Sequence, residues 1–385
     1  MSLGQLVELT VGYAFKSSEY GEADSGQRLV RGENIAQGNL RWGNTRWWPN
    51  SAEVDSRYEL HAGDLVLAMD RPWIEAGLKF AQVSALDLPA LLVQRVARLR
   101  ARDSVDQRYL YYILAGSAFA SYVQAVQTGT SIPHISGAQI LGFTLTPHPL
   151  AEQRAISEVL GALDDKIAAN LNLVATLESL ARAIFEENLS EASDKPLSET
   201  AEFVNGRAFT KGASGTGRVV VRISELKSGI GGSTVYSDAE VADKHVSRAG
   251  DILFAWSGSL TLSRWFREDA IINQHIFKVI PKTAYPRWLV FQLIRAKLEE
   301  FKSIAADKAT TMGHIQRHHL DELVTVPSEE TILRMDAQMS SLWKRALLAE
   351  QESLSLAELR DTLLPELMSG RLRVKDAEKK IEEVV

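Results

Sequence analysis

Residues 151–187 read AEQRAISEVLGALDDKIAANLNLVATLESLARAIFEE, and their apolar positions decide how the rest of the chain is organised. Ile156, Leu160, Leu163, Ile167, Val174, Leu177 and Ile184 follow in steps of four and three, with Asn170 and Ala181 filling the gaps. That is a heptad seam, which buries its face against a partner helix. A helix of this length is roughly 50 Å long at about 1.5 Å per residue, enough to act as a spacer. A second such stretch lies near residues 331–368, where Met335, Met339, Leu342, Ala346, Leu356, Leu359 and Leu363 form a less regular seam.

The helix ends are marked. Pro149 suits a first helical position and is followed by Glu152, while Ser328 can cap and is followed by Glu329 and Glu330, which suit the positive helix end. Gly370 is placed as a residue just beyond a helix, and Asn188 can serve likewise. Pro365 predicts a kink or an early stop.

On either side of the first helix the chain repeats itself. Leu3 to Lys16 (LGQLVELTVGYAFK) matches Leu197 to Thr210 (LSETAEFVNGRAFT) at an offset of 194. His61-Ala62-Gly63-Asp64 with its apolar run matches Arg248-Ala249-Gly250-Asp251, each a Gly-Asp turn feeding a short strand. Val30 to Ile35 matches Val221 to Leu226, Ala90 to Arg95 matches Ala270 to His275, and Arg108-Tyr109-Leu110 matches Arg287-Trp288-Leu289 at a helix start. Thr130 to Pro147 pairs with Thr310 to Pro327 at offset 180, and a long helix follows each proline. Matches in the same order with an offset that shrinks in steps mean two copies of one α/β (α+β) domain, each followed by a helix, related by an internal pseudo-twofold duplication.

Composition sets the bounds. The 385 residues are 45% hydrophobic and 24% charged, as in an ordinary soluble protein of two or three domains. The start Met1-Ser2-Leu3-Gly4 lacks a basic region before an apolar core, and no window approaches 18 uninterrupted apolar residues. Neither export nor membrane insertion is indicated, and a cytoplasmic protein is expected. Zero cysteines exclude disulfides, thiolate catalysis and cysteine-ligated metal centres. The net charge of −6 is uneven: −1 over residues 1–149, −6 over 150–194, +4 over 195–327 and −3 over 328–385. The helices carry the acid, and each globular stretch is free to present one basic face.

Pro149-Leu150-Ala151-Glu152-Gln153-Arg154 opens the central helix, and Leu359-Arg360-Asp361-Thr362-Leu363-Leu364-Pro365-Glu366-Leu367-Met368-Ser369-Gly370, then Leu372-Arg373-Val374 and Lys375-Asp376-Ala377-Glu378, close the chain. With the Gly63-Asp64 and Gly250-Asp251 strands, these residues resemble the DNA specificity (S) subunit of type I restriction–modification systems across nearly the whole chain. The resemblance implies target recognition domains at 1–149 and 195–327, one per half of a split DNA sequence. A central helix and linker (150–194) and a C-terminal helix (328–370) would form an antiparallel coiled coil, with a tail at 371–385. It implies that methyltransferase (M) subunits, two of them, and motor-nuclease (R) subunits dock on a chain with no catalytic centre. S-adenosylmethionine, ATP and Mg would sit on those partners, with no cofactor on this chain.

Two similar domains on a rigid spacer can meet successive major grooves, which recur about every 34 Å. The copies differ after the Gly-Asp strands, with Asp70-Arg71-Pro72-Trp73 in one and Trp256-Ser257-Gly258-Ser259 in the other, so an asymmetric target with a non-specific gap is expected. Inserting a turn of about four residues into both helices should lengthen that gap. Arg pairs with guanine and Asn or Gln with adenine. The candidates are therefore Lys16, Arg31, Asn34, Arg41, Arg71, Gln94, Thr130 and Ser131 in the first copy. In the second they are Arg207, Lys211, Arg222, Ser257, Arg264, Gln274, His275, Thr310 and Thr311. A solvated charge or a phosphate contact is the ordinary role of any one of them.

Other features have plainer readings. Gly12-Tyr13-Ala14-Phe15 and Gly206-Arg207-Ala208-Phe209 can be tight turns packing their Phe; Trp47 and Trp48 suit core or interface packing. His134 and His314 are matched hydrogen-bond donors, and His314, His318 and His319 lack the acidic partners of a metal site. There is no Walker loop, Gly212 to Gly217 has the wrong spacing for a dinucleotide, no Asn/Asp-Pro-Pro-aromatic motif is present, and Glu225-Leu226-Lys227 is too short to signal a nuclease. The competing reading is a structural coiled-coil scaffold whose domains bind protein rather than DNA.

Overall fold

A computed structural model of the chain describes residues 1–21, 26–51, 53–74, 77–129, 131–189, 191–307 and 313–383. The chain divides into two compact units, Met1–Asp165 with Ala357–Val385, and Lys166–Leu356. The central helix spans Leu150–Glu187 and the distal helix Glu329–Met368, so each unit takes a part of both.

Within the first unit, Arg360 Nη1 donates to Asp164 Oδ1 at 2.7 Å, and His148 Nε2 lies 3.2 Å from the Met368 carbonyl. Within the second, Asn170 Nδ2 donates to Glu352 Oε2 and Arg334 Nη2 to Asn188 Oδ1, both at 2.9 Å. Rising numbers on one helix meet falling numbers on the other, so the pairing is antiparallel. The distal seam is more regular than its Leu and Met residues predict. Ala349 and Ser353 are buried between Ala346 and Leu356, which completes steps of three and four from Ile332 to Leu367. Small side chains hold the seam where apolar bulk was expected, so a pattern counted on large residues breaks there.

The ends follow local chemistry. The Pro149 carbonyl accepts from Glu152 and Gln153 N–H, so the helix begins one residue after the proline. Ser328 Oγ accepts from Thr331 N at 3.3 Å, the cap expected of it. Gly370 has φ +72, the left-handed conformation a glycine adopts freely. Asn188 closes its helix differently, its side-chain amide donating to the Ile184 carbonyl at 2.8 Å. The distal helix runs through Pro365 to Met368. A proline this near the end removes one helical bond from a turn about to finish, so the early stop does not occur.

In the first unit a sheet runs in the order Val7–Val11, Val96–Ala101, Leu65–Ala68, Phe80–Gln82, Gln37–Gly38. In the second the order is Ala201–Asn205, Ile276–Pro281, Ile252–Ala255, Thr261–Arg264. Their registers correspond, Val7 facing Ala101 as Ala201 faces Pro281. A companion sheet in each unit pairs two strands in parallel, Val30 beside Leu92 and Val221 beside Ile272. Leu65–Ala68 and Ile252–Ala255 are buried at every residue, since both faces of these strands are covered by core. Each unit thus builds its fold from the same α/β plan, as the repeat predicts.

Candidate nucleic-acid interface

Four chain segments converge in the first unit. Gly12 N donates to the Val96 carbonyl at 3.0 Å, Tyr13 N to Leu92 at 3.0 Å, and Gln94 N to Tyr13 at 2.7 Å. The approach is close enough that a Cβ on Gly12 would lie 2.2 Å from the Val93 oxygen, so this position requires glycine. Met69 N then donates to Arg95 at 2.8 Å and Ile135 N to Met69 at 2.9 Å. Arg71 N reaches Pro133 at 2.6 Å. Arg71 and Arg95 take φ of +46 and +63, the left-handed region that residues with side chains seldom adopt. Tyr13, Arg71, Gln94 and Arg95 are exposed.

The centre of this surface is an acid between a guanidinium and an imidazole. Asp70 Oδ2 accepts from Arg95 Nη1 at 2.6 Å, and Asp70 Oδ1 lies 2.8 Å from His134 Nδ1. Partial burial pushes the Asp70 carboxyl up, but the hydrogen bonds from Arg95 and His134 outweigh it and hold it below the usual aspartate range. Beside it, burial and then the charge of Arg71 lower the Lys79 ammonium. The acids Glu33 and Asp70 oppose that lowering, so the surface mixes charges of both signs around Arg71 and Lys79.

The second unit repeats five of these six backbone bonds. Gly206 N donates to Ile276, Gln274 N to Arg207, Trp256 N to His275, Ile315 N to Trp256 and Gly258 N to Gly313, at 2.7–3.1 Å. Its Gly206 Cβ would lie 2.0 Å from the Asn273 oxygen. Ser257 bridges to His314 as Asp70 bridges to His134. The side chains differ: where the first unit has Asp70, Arg95 and His134, the second has Ser257, His275 and His314, with the Trp256 ring 5.1 Å from His275 and 6.3 Å from His314. His275 holds φ +74. A cleft beside Gly258 is lined by Lys227 and Lys302, and Lys227 Nζ donates to Ser259 Oγ at 3.1 Å.

Of the sequence candidates, the frame brings together Arg71 and Gln94 in the first unit and Arg207, Gln274 and His275 in the second. Lys16, Arg41, Ser131 and Lys211 are exposed elsewhere in their loops, Lys16 pairing with Glu19 at 3.5 Å. Thr130, Thr310 and Thr311 lie outside the described residues. Others are engaged inside the fold. Asn34 is buried, accepting from Arg31 N and donating to the Arg41 carbonyl. Arg31 donates to the Asn44 carbonyl at 2.7 Å and pairs with Glu33. Arg222 clamps buried Glu225 at 2.6 Å, and Ser257 is buried. Arg264 is buried against Glu350 at 2.8 Å and Glu178 at 3.4 Å, with Trp343 4.5 Å from its guanidinium. These serve the fold, because loop arginines and asparagines also satisfy buried carbonyls and carboxylates, which residue type alone does not reveal.

Arg95 and Asp70 were not among the candidates. The signal was the aligned glutamines, Gln94 and Gln274, each followed by a residue that differs between the copies. Trp48 is buried edge-on to Phe15 at 4.7 Å, the packing role expected, while Arg28 lies 5.6 Å from the Trp47 ring. Among the described residues no group of three or more His, Asp or Glu is arranged to hold a metal, and no helix is long and apolar enough to cross a membrane.

No family model matches the chain. It is 34% identical over 168 residues to the type I restriction enzyme EcoAI specificity subunit of Escherichia coli, covering 43% of this chain and 27% of that protein. It is 29% identical over 171 residues to the MjaVIII specificity subunit of Methanocaldococcus jannaschii, covering 43% and 39%. The chain thus spans well under half the length of these relatives. With the MjaIX specificity subunit of the same organism it shares 22% identity over 316 residues, covering 71% of each. The crystal structure of the type I restriction–modification S subunit from M. genitalium superposes with a TM-score of 0.57 over 95% of both chains at 14% identity, a likeness of fold. The curated relatives of this chain are type I restriction enzyme specificity subunits, and its fold is that of a type I S subunit.

Proposed function

We propose that the chain is a non-catalytic DNA-reading subunit. It reads an asymmetric, bipartite target, one half per recognition domain (1–149 and 195–327), across a gap of fixed length. The observation that carries this reading is the repeated frame: matching backbone bonds hold Arg71, Gln94 and Arg95 at the surface of one unit and Arg207, Gln274 and half-buried His275 in the other. Matching frames with different side chains suit two different sequences read in the same way. The acidic helices suit the docking of two adenine methyltransferase subunits and of motor-nuclease subunits, which would carry S-adenosylmethionine, ATP and Mg, this chain binding no cofactor.

The test is co-production with its methyltransferase subunits and mapping of N6-methyladenine in the host genome. A split, non-palindromic motif is expected; a continuous or palindromic one overturns the proposal. Retention of the complex on duplex DNA should also fall steeply with salt, as phosphate contacts do. Salt-independent behaviour or no DNA binding would favour a coiled-coil scaffold for protein partners.

A further inference from the structure

We propose that Arg95 is a base-reading residue of the first unit and that Asp70 is its positioning residue, with His134 bracing Asp70 from the other side. This rests on the DNA-reading function proposed above and names the side chains that set one half-site.

Arg95 has φ +63, and its side chain is 64% exposed. A long charged side chain at such a turn is normally free to swing, which costs entropy when it must meet one base. Here Nη1 is held on Asp70 Oδ2 at 2.6 Å, and among the described residues no other hydrogen bond engages the guanidinium. Nε and Nη2 therefore remain as a fixed pair of donors, the fork that matches O6 and N7 of guanine. Asp70 is anchored in turn by His134 Nδ1 at 2.8 Å, and its backbone is bridged to His134. The carboxylate thus has a defined place from which to aim Arg95. It also offsets part of the charge of Arg95, which biases the group toward a directional bond over a diffuse phosphate contact.

The second unit supports the assignment by contrast. At the same three frame positions it carries Ser257, His275 and His314, with no carboxylate and no guanidinium, so the device is specific to one half of the molecule. The half-site read by the first unit should contain a G·C pair whose guanine is required, and its reading should depend on Asp70.

The experiment uses the complex with its methyltransferase subunits. Methylated sites are mapped for the wild type and for Arg95→Gln, Arg95→Lys, Asp70→Asn and Asp70→Glu, and binding is measured to duplexes altered at each base pair. Arg95→Gln should relax one G·C position of one half-site by about tenfold or more. Arg95→Lys should also relax it, because an ammonium keeps the charge and loses the fork. Asp70→Asn should relax that same position less, and Asp70→Glu should restore part of it. The other half-site, read by the same molecules, should be unchanged and serves as the control for folding. Unchanged preference in Arg95→Gln, equal loss over all sequences, or a different position affected by Asp70→Asn overturns the proposal. A wild-type complex that reads no split motif sinks the DNA-reading function and this inference together, whereas variant results of the kinds just named sink this inference alone.

Discussion

Asn170 Nδ2 donates to Glu352 Oε2 at 2.9 Å from a position on the helical seam where Asn170 is itself buried. Lys166 lies 3.3 Å from the other oxygen of the same carboxylate. A polar pair inside an apolar seam fixes register at a cost in stability, because sliding the helices leaves both groups without partners. Asn170→Ala and Glu352→Gln should each lower stability by roughly 1 kcal/mol, and the double variant by less than their sum. Chemical denaturation of the three proteins measures the coupling; strict additivity would mean that the two side chains act independently.

Arg264 was expected in a reading loop and is instead buried between Glu350 and Glu178, against Trp343. Arg264→Ala leaves the Glu350 carboxylate buried without its cation and should cost about 3–5 kcal/mol. Base preference at either half-site should not move. A thermal melt and the methylation motif together check this, and a changed motif in a stably folded variant would return Arg264 to the reading surface.

Gly12 and Gly206 each lie where an added Cβ would strike a backbone oxygen at 2.2 or 2.0 Å. Backbone cannot swing aside as a side-chain tip can, so Gly12→Ala or Gly206→Ala should destabilise its unit by at least about 2 kcal/mol. Gly43, with nothing within 4 Å of its would-be Cβ, is the control and should tolerate alanine. Equal melting behaviour of all three variants would contradict the close approach.

The long helices, the duplication and the matched turns were legible because each rests on a period or an offset that the backbone enforces. The Gly12 and Gly206 loops announced themselves as matched motifs, although only the geometry shows which carbonyl excludes a side chain. The reading surface was legible in part. Gln94 and Gln274 align and are exposed, but Asn34 and Arg264 share their chemistry and are buried. A donor-rich side chain carries no mark of whether a base or a buried carbonyl accepts from it. Ala349 and Ser353 were missed for a related reason, since a small residue in a seam is indistinguishable in sequence from one facing water.

Glu225 gives the clearest pH dependence. Burial alone would raise its carboxyl, but the side-chain and backbone bonds from Arg222, with one from Ser224, hold it below the ordinary value of 4.5. A carboxylate lowered in the fold contributes stability above its unfolded value, and that contribution is lost as pH falls through the lowered value. Glu225→Gln should therefore melt lower at neutral pH, and the gap to the wild type should close as the pH is taken below about 4.5. A gap that persists undiminished in acid would assign the loss to packing.

Arg71 separates reading from folding. Its φ of +46 is a conformation in which side-chain-bearing residues are strained by about 1 kcal/mol and glycine is not. Arg71→Gly should therefore melt no lower than the wild type, whereas loss of a structural arginine would lower it. Its removal should still weaken DNA binding by the complex, because an exposed cation is lost from the frame beside Lys79. If Arg71 meets a phosphate, binding should weaken alike over all sequences and the salt slope should fall by about one. If it meets a base, one position of the half-site should relax while the salt slope holds. Unchanged binding at every sequence and every salt concentration would remove Arg71 from the interface.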